Sequence, residues 1–249
     1  MAAAGFAVLL PDRRGSGRNT ADRGHAASAA RLLKDCGEWL EELRRRTGLQ
    51  TAHVIGVSWG GKLAVNLVRR YPSRVASLAL VAPGLFPLVD LPAREKLRLA
   101  WAALAARRRL FRIPINEPEM FTATPCWLDY IRRDPLRLTH VTAAFLMASR
   151  RLDRFPRKAG RHAGPPTHVF LAEHDRIIDN ERTRRWLREL PWPQRQITEY
   201  RGAHHTLEFE PQGHPYPEDL LAWIRSACRA VAPPAGSHAP DPPHAPHDA

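Results

Sequence analysis

One serine in this sequence has neighbours that would make it reactive. Ser58 lies in Gly56-Val57-Ser58-Trp59-Gly60-Gly61, directly after the apolar run Ala52 to Ile55 and directly before residues of helical spacing. A Gly-x-Ser-x-Gly pentapeptide by itself also arises in ordinary glycine turns; its place between a strand and a helix is what gives it weight. A serine on such a turn is held in strained backbone geometry, which only small neighbours tolerate. Its hydroxyl then projects beside the free N–H groups of the helix start, where an oxyanion is stabilised, and the Trp59 N–H is the expected donor. A hydroxyl is a poor nucleophile at neutral pH unless a base takes its proton, and an imidazole base needs an acid to fix its tautomer. Two downstream loops carry these residue types. Asp175 follows the apolar run ending at Ala172, and His204 and His205 follow the run ending at Tyr200. Glu173 and Asp179 compete with Asp175, but Asp179 is placed to cap a helix beginning near Glu181, so Asp175 is preferred. Between His204 and His205 the residues alone do not choose.

The elements that must position these groups follow from apolar periodicity. Phe6 to Leu10 is fully apolar and ends in Pro11-Asp12, the pattern of a buried strand feeding the loop Asp12 to Asn19. From His25 to Arg46, Leu32, Leu33, Cys36, Trp39, Leu40 and Leu43 recur at helical spacing, and Gly48 closes that helix. A strand at Ala52 to Gly56, a helix at Gly60 to Tyr71 halted by Pro72, and a strand at Val75 to Val81 come next. The rhythm breaks at Pro83-Gly84 and resumes with the strand Thr167 to Ala172. Residues 85–164 between them, with helices expected at Arg94 to Arg109 and Leu138 to Arg150, read as a helical cap inserted into an α/β core made of 1–84 and 165–231. A helix at Glu181 to Leu190, a strand at Gln196 to Tyr200 and a helix at Pro217 to Ala230 complete the core. Strands alternating with helices in this way predict a mostly parallel sheet covered on both faces. Residues 232–249 are rich in Pro, His and Ala, too poor in large apolar groups to offset ordering entropy, and are expected to be disordered. Within the cap, Met120, Phe121, Trp127 and Phe145 are candidates for an acyl pocket, although apolar residues at helical spacing equally serve ordinary packing.

Composition excludes several classes. No run reaches the roughly 18 to 20 apolar residues of a membrane-spanning helix, and the start Met1-Ala2-Ala3-Ala4-Gly5-Phe6 lacks the basic region of a signal peptide. Cys36, Cys126 and Cys228 are odd in number and far apart, which fits a reducing, cytoplasmic setting and no disulfide framework. The net charge of +13 rests mostly on arginine, since only Lys34, Lys62, Lys96 and Lys158 are lysines. Those arginines are scattered along helices without an aromatic platform, so a solvated basic face is expected and a nucleic-acid partner is not. No HExxH-type spacing is present, and His238, His244 and His247 sit in the polar tail, so neither metal nor cofactor is expected.

Taken together, Asp12-Arg13-Arg14-Gly15-Ser16-Gly17, the elbow around Ser58, the acid loop at Asp175 and Gly202-Ala203-His204-His205-Thr206-Leu207-Glu208 resemble the α/β-hydrolase superfamily. The closest likeness is to its monoacylglycerol-lipase and lysophospholipase-like branch, which includes the serine aminopeptidase-like hydrolases. The histidine loop of that branch, Gly-Ala-x-His followed by Leu and Glu, selects His205. The resemblance implies hydrolysis of a carboxylic ester of acyl or glycerolipid type through Ser58, His205 and Asp175. A proline-iminopeptidase-like amide hydrolase is the alternative, and a non-catalytic binding protein on the same fold is the rival from another class.

The chain departs from the branch at its front. The resemblance implies three strands before the Asp-x-x-Gly-x-Gly loop, the third bearing a His-Gly loop that supplies a second oxyanion donor, and none of these is in the sequence. An N-terminally truncated core is therefore expected, with unpaired strand edges in the sheet. Loss of one oxyanion donor is expected to slow the reaction about 100-fold to 1,000-fold.

Overall fold

The computed structural model describes residues 1–154 and 163–231. Four parallel strands form the central sheet in the order β1-β2-β5-β6: β1 Ala52–Val57, β2 Val75–Val81, β5 Thr167–Ala172 and β6 Arg195–Tyr200. Helix α1 (Ala29–Thr47) precedes β1, α2 (Gly60–Arg70) joins β1 to β2, α6 (Asn180–Glu189) joins β5 to β6, and α7 (Tyr216–Val231) follows β6. These bounds lie within a few residues of those the periodicity predicts. Capping explains several of them. Ser28 accepts from the Arg31 N–H at the start of α1, Gly48 in left-handed conformation ends it, and Asp179 accepts from the Arg182 N–H at the start of α6.

The central strands β2 and β5 are buried on both faces, and period-two alternation divides their residues between the two. Leu78, Leu80, Val169 and Leu171 pack with Val65 and Val68 of α2 and with Trp186 and Leu187 of α6. Ala79, Val81, Phe170 and Ala172 face Leu220, Trp223 and Ile224 of α7. His168 lies on the second face with its ring 4.1 Å from that of Phe170 and 5.2 Å from Trp223, and its Nε2 pairs with Thr198 Oγ1 at 2.8 Å. Burial pulls its pKa down to about 4. An unfolded chain would protonate this ring near 6.5, so its contribution to stability is present above that value and is lost as pH falls toward 4. Urea unfolding at pH 7 and pH 4.5 is expected to show His168→Gln losing about 2 kcal/mol less on acidification than the parent.

The expected strand at Phe6 to Leu10 does not form: the segment carries no regular structure, and Leu10 is 94% exposed. A strand requires a neighbour on which to ladder, and β1, the edge of the sheet, pairs only with β2 among the described residues. Ile55 and Val57, in register with Ala79 and Val81 on the face that α7 covers at β2, are exposed at β1.

Between β2 and β5 the chain adds α3 (Ala93–Ala105), β3 (Leu110–Arg112), α4 (Pro125–Arg133), β4 (His140–Thr142) and α5 (Ala143–Leu152). Helical spacing predicts one helix through Arg109 and another from Leu138. Both are cut short, because Leu110–Arg112 and His140–Thr142 pair antiparallel, with Phe111 opposite Val141 inward and Leu110 and Arg112 outward. Three residues of alternation are too few to stand out beside helical spacing. Helix α4 begins on Pro125, a residue suited to the first helical position because it has no N–H to leave unpaired there. The expected disordered tail, 232–249, lies outside the described residues.

Candidate active site

Ser58 stands between the end of β1 and the first turn of α2, and its φ of +47° is the left-handed conformation that side chains rarely adopt. The surrounding backbone imposes it. The Ser58 N–H donates to Val81 O at 2.8 Å, continuing the β1–β2 ladder, while its carbonyl accepts from the N–H groups of Gly61 at 2.9 Å and Gly84 at 2.8 Å. The turn also needs α2 close against β1: a Cβ on Gly56 would lie 2.7 Å from Ala64 Cβ and 3.0 Å from Gly61 Cα. Trp59 forms the N-cap position of α2, and its N–H takes no part in the bonds that close the turn.

The structure brings together three of the residues singled out from the sequence. Ser58 Oγ lies 2.7 Å from His205 Nε2, and His205 Nδ1 lies 2.7 Å from Asp175 Oδ2. With its proton on Nδ1, the ring donates to the carboxylate and accepts from the hydroxyl. The His205 and Asp175 side chains are almost wholly buried, whereas Ser58 is only half-buried and open to a ligand. The other carboxylate oxygen, Asp175 Oδ1, accepts from the backbone N–H groups of Ile177 at 2.8 Å and Ile178 at 3.0 Å. That arrangement fixes the carboxylate plane, so only Oδ2 faces the ring. His205 is held in turn by the Thr206 N–H, which donates to Phe121 O at 2.9 Å, and by the Phe121 ring, packed edge-on 6.0 Å away.

The competing residues have other tasks. Glu173 accepts the Gly202 N–H at 2.7 Å, Asp179 caps α6, and the His204 N–H donates to Glu210 Oε1 at 2.6 Å. The choice between His204 and His205, open at the level of residue types, is thereby made by geometry.

Ser58 and Trp59 line a cavity of about 920 Å³ formed between the sheet and the inserted elements, together with Val141, Phe145, Ile177 and Ile178. Of the four apolar candidates from the sequence, only Phe145 lines it. Trp127 stacks on Phe209 at 4.4 Å, Phe121 buttresses His205, and Met120 packs on the core. These three are packing residues, and their periodicity carried no information about which cavity they face. Polar bonds missed by the sequence reading tie α5 to the elbow. Trp59 Nε1 donates to Ser149 Oγ at 2.9 Å, and Asn66 Nδ2 donates to Lys62 O at 2.8 Å and Leu152 O at 3.0 Å. The buried Lys62 ammonium lies 2.7 Å from Asp153 Oδ1, an ion pair without hydrogen-bond alignment. A buried lysine at the third position of α2 was a visible signal, since a cation on the inner face of a short helix requires a partner.

A parallel sheet with helices on both faces, and a serine elbow at the carboxyl ends of its strands, define an α/β-hydrolase. The chain belongs to the family described as serine aminopeptidase, S33, whose model matches residues 1–212. Among solved structures it is similar to the monoacylglycerol lipase of Paleococcus ferrophilus, with a TM-score of 0.75 and 20% identity over 86% of this chain and 80% of that one. It is also similar to a soluble variant of the monoglyceride lipase of Saccharomyces cerevisiae, with a TM-score of 0.74 and 14% identity over 87% of this chain and 76% of that one. A carboxylesterase of Bacillus subtilis is 35% identical over 58 residues, covering 23% of this chain and 20% of its own length. A 2-hydroxy-6-oxo-6-phenylhexa-2,4-dienoate hydrolase of Burkholderia cepacia is 34% identical over 85 residues, 33% of this chain and 27% of its own. The matches to these two curated relatives span about a quarter of their length or less. Among the described residues no helix is long and apolar enough to cross a membrane.

Proposed function

We propose that this chain hydrolyses carboxylic esters through an acyl-enzyme on Ser58. The observation that carries the reading is the unbroken relay of 2.7 Å from Ser58 to His205 and 2.7 Å from His205 to Asp175, opening into a largely apolar cavity. Ser58 Oγ attacks the ester carbonyl while His205 Nε2 takes its proton, and the imidazolium so formed is stabilised by Asp175. The carbonyl oxygen becomes an oxyanion held by the Trp59 N–H. His205 then returns the proton to the leaving alcohol, water adds to the acyl-enzyme by the same route, and the acid is released. The inserted elements from α3 to α5 act as the cap that encloses the acyl group, and no metal or cofactor enters any step. Names of relatives that include monoacylglycerol lipases and a carboxylesterase favour an acyl or glycerolipid-type substrate.

An amide substrate with a free amino group, as in a proline iminopeptidase, would need an unneutralised carboxylate facing the cavity. Among the described residues the two acids that line it are already paired: Asp153 with Lys62 at 2.7 Å, and Asp90 with Lys96 at 2.7 Å and Arg150 at 3.2 Å. This balance favours the esterase. A fluorophosphonate probe followed by peptide mass spectrometry tests the reading. Stoichiometric labelling of Ser58, together with turnover of p-nitrophenyl butyrate, is expected. Absence of labelling in folded protein would favour a non-catalytic binding protein.

A further inference from the structure

Among the described residues Arg13 is a cation without an anion. Its side chain lines the cavity that Ser58 and Trp59 line. Its Nη1 is shut off from solvent and has no hydrogen-bond partner among the described residues. The guanidinium instead lies 4.7 Å from the centre of the Trp59 ring and 5.0 Å from that of Phe145, and burial pulls its pKa down to about 10. Its neighbour shows what a structural arginine looks like in the same loop: Arg14 makes a two-pronged bond to Asp35, at 2.9 and 2.8 Å. Of the other basic groups at the cavity, Lys62 is engaged by Asp153, Arg150 by Asp90 and Arg107 by the carbonyl of Ala27, while Arg151 and Arg154 are exposed to solvent rather than buried.

A desolvated, unpaired charge opposes folding, and a protein retains one where an arriving ligand neutralises it. Aromatic faces hold a guanidinium in place while leaving its N–H edge free, and that planar edge matches two oxygens of a carboxylate or phosphate. The loop fixes the position. Gly15 (φ +69°) follows Arg14, and a Cβ there would lie 2.7 and 2.8 Å from the carbonyls of Asp22 and His25. Trp59, on which the guanidinium rests, also carries the proposed oxyanion donor, so an anion held by Arg13 and an ester held at Ser58 would share one cavity.

We propose that Arg13 is the specificity residue of this site and selects esters that carry an anionic carboxylate or phosphate group. The inference deepens the esterase reading and rests on it for the identity of the cavity as the substrate site.

Two matched pairs of esters test it. The first is mono-4-nitrophenyl glutarate against 4-nitrophenyl pentanoate, which share a chain length and differ in the terminal carboxylate. The second is 1-acylglycerol 3-phosphate against the neutral 1-acylglycerol. A higher kcat/KM for the charged member of either pair is expected, the responding pair identifying carboxylate or phosphate as the anion. Arg13→Met is expected to reduce that preference about 10-fold to 100-fold, chiefly through a raised KM for the charged ester. Arg13→Lys should recover part of it. A parent with no preference in either pair, or an Arg13→Met protein that slows charged and neutral esters alike, overturns the proposal. Should Arg13→Met fail to fold, competitive inhibition of the parent by glutarate or inorganic phosphate, but not by 1,5-pentanediol, replaces it, and lack of inhibition by both anions overturns the assignment. Calorimetric titration of Ser58→Ala with glutarate and with inorganic phosphate separates the two readings. Binding that depends on Arg13 in a protein whose parent takes no fluorophosphonate would sink the esterase and keep the anion site.

Discussion

Replacing Ser58 with Ala is expected to lower kcat for p-nitrophenyl butyrate about a million-fold, to the level left by binding and oxyanion stabilisation alone. The change deletes one oxygen, and the side-chain partner of that oxygen is the Nε2 of His205 at 2.7 Å. Nothing in the core moves, so the thermal midpoint should stay within a few degrees of the parent. His205→Ala should cost about as much, and the double variant little more than either single one, because the two groups act as a unit. Retention of more than about a hundredth of the parent activity by Ser58→Ala would show that hydrolysis takes place without this hydroxyl, and the nucleophile assignment would fall.

Asp175→Asn is expected to reduce kcat about 10,000-fold while leaving KM little changed. The size of the effect follows from where the two carboxylate oxygens point. Oδ1 accepts two backbone N–H groups, from Ile177 and Ile178, so the amide oxygen of asparagine is kept at that position. Its NH2 then faces His205 Nδ1, which must accept rather than donate. The ring proton moves to Nε2, and the imidazole presents a donor to Ser58 where a base is required. Glu173→Gln and Asp179→Asn serve as controls. The first removes a charge from an exposed loop contact and the second retains a helix cap, so both should keep kcat within about twofold. A large loss in either, with Asp175→Asn near the parent, would transfer the acid role away from Asp175.

The legibility of this chain differs from one part to another for identifiable reasons. Ser58 was readable because an elbow requires a fixed local order of strand, small residue, nucleophile, small residue and helix, all within about ten residues. The core strands and helices were readable because burial on both faces of β2 and β5 gives long apolar runs, and the amphipathic α1 and α2 carry a clean helical period. Phe6 to Leu10 has the same apolar composition as a core strand and forms none, since a ladder is a property of two segments and no described strand pairs with it. The β3–β4 pair was invisible for the converse reason: three residues on each side gain their strand character from one another.

The sequence by itself determined which residue types were available for nucleophile, base and acid, and the order of strands that would bring them to one edge of a sheet. The resemblance of the histidine loop had already selected His205 and the capping position of Asp179 had favoured Asp175; the tertiary structure brings both into reach of one another and of the hydroxyl, and it alone decided that Phe145 but not Trp127 lines the cavity. The same holds for Arg13 and Arg14, adjacent and chemically identical, of which Arg14 is tied to Asp35 and Arg13 is left, among the described residues, without an anion above two aromatic rings. Periodicity along a chain records which side of an element is buried. Which group a side chain meets there depends on segments far away in sequence, and the energy of a charge or a hydrogen bond is set by that partner.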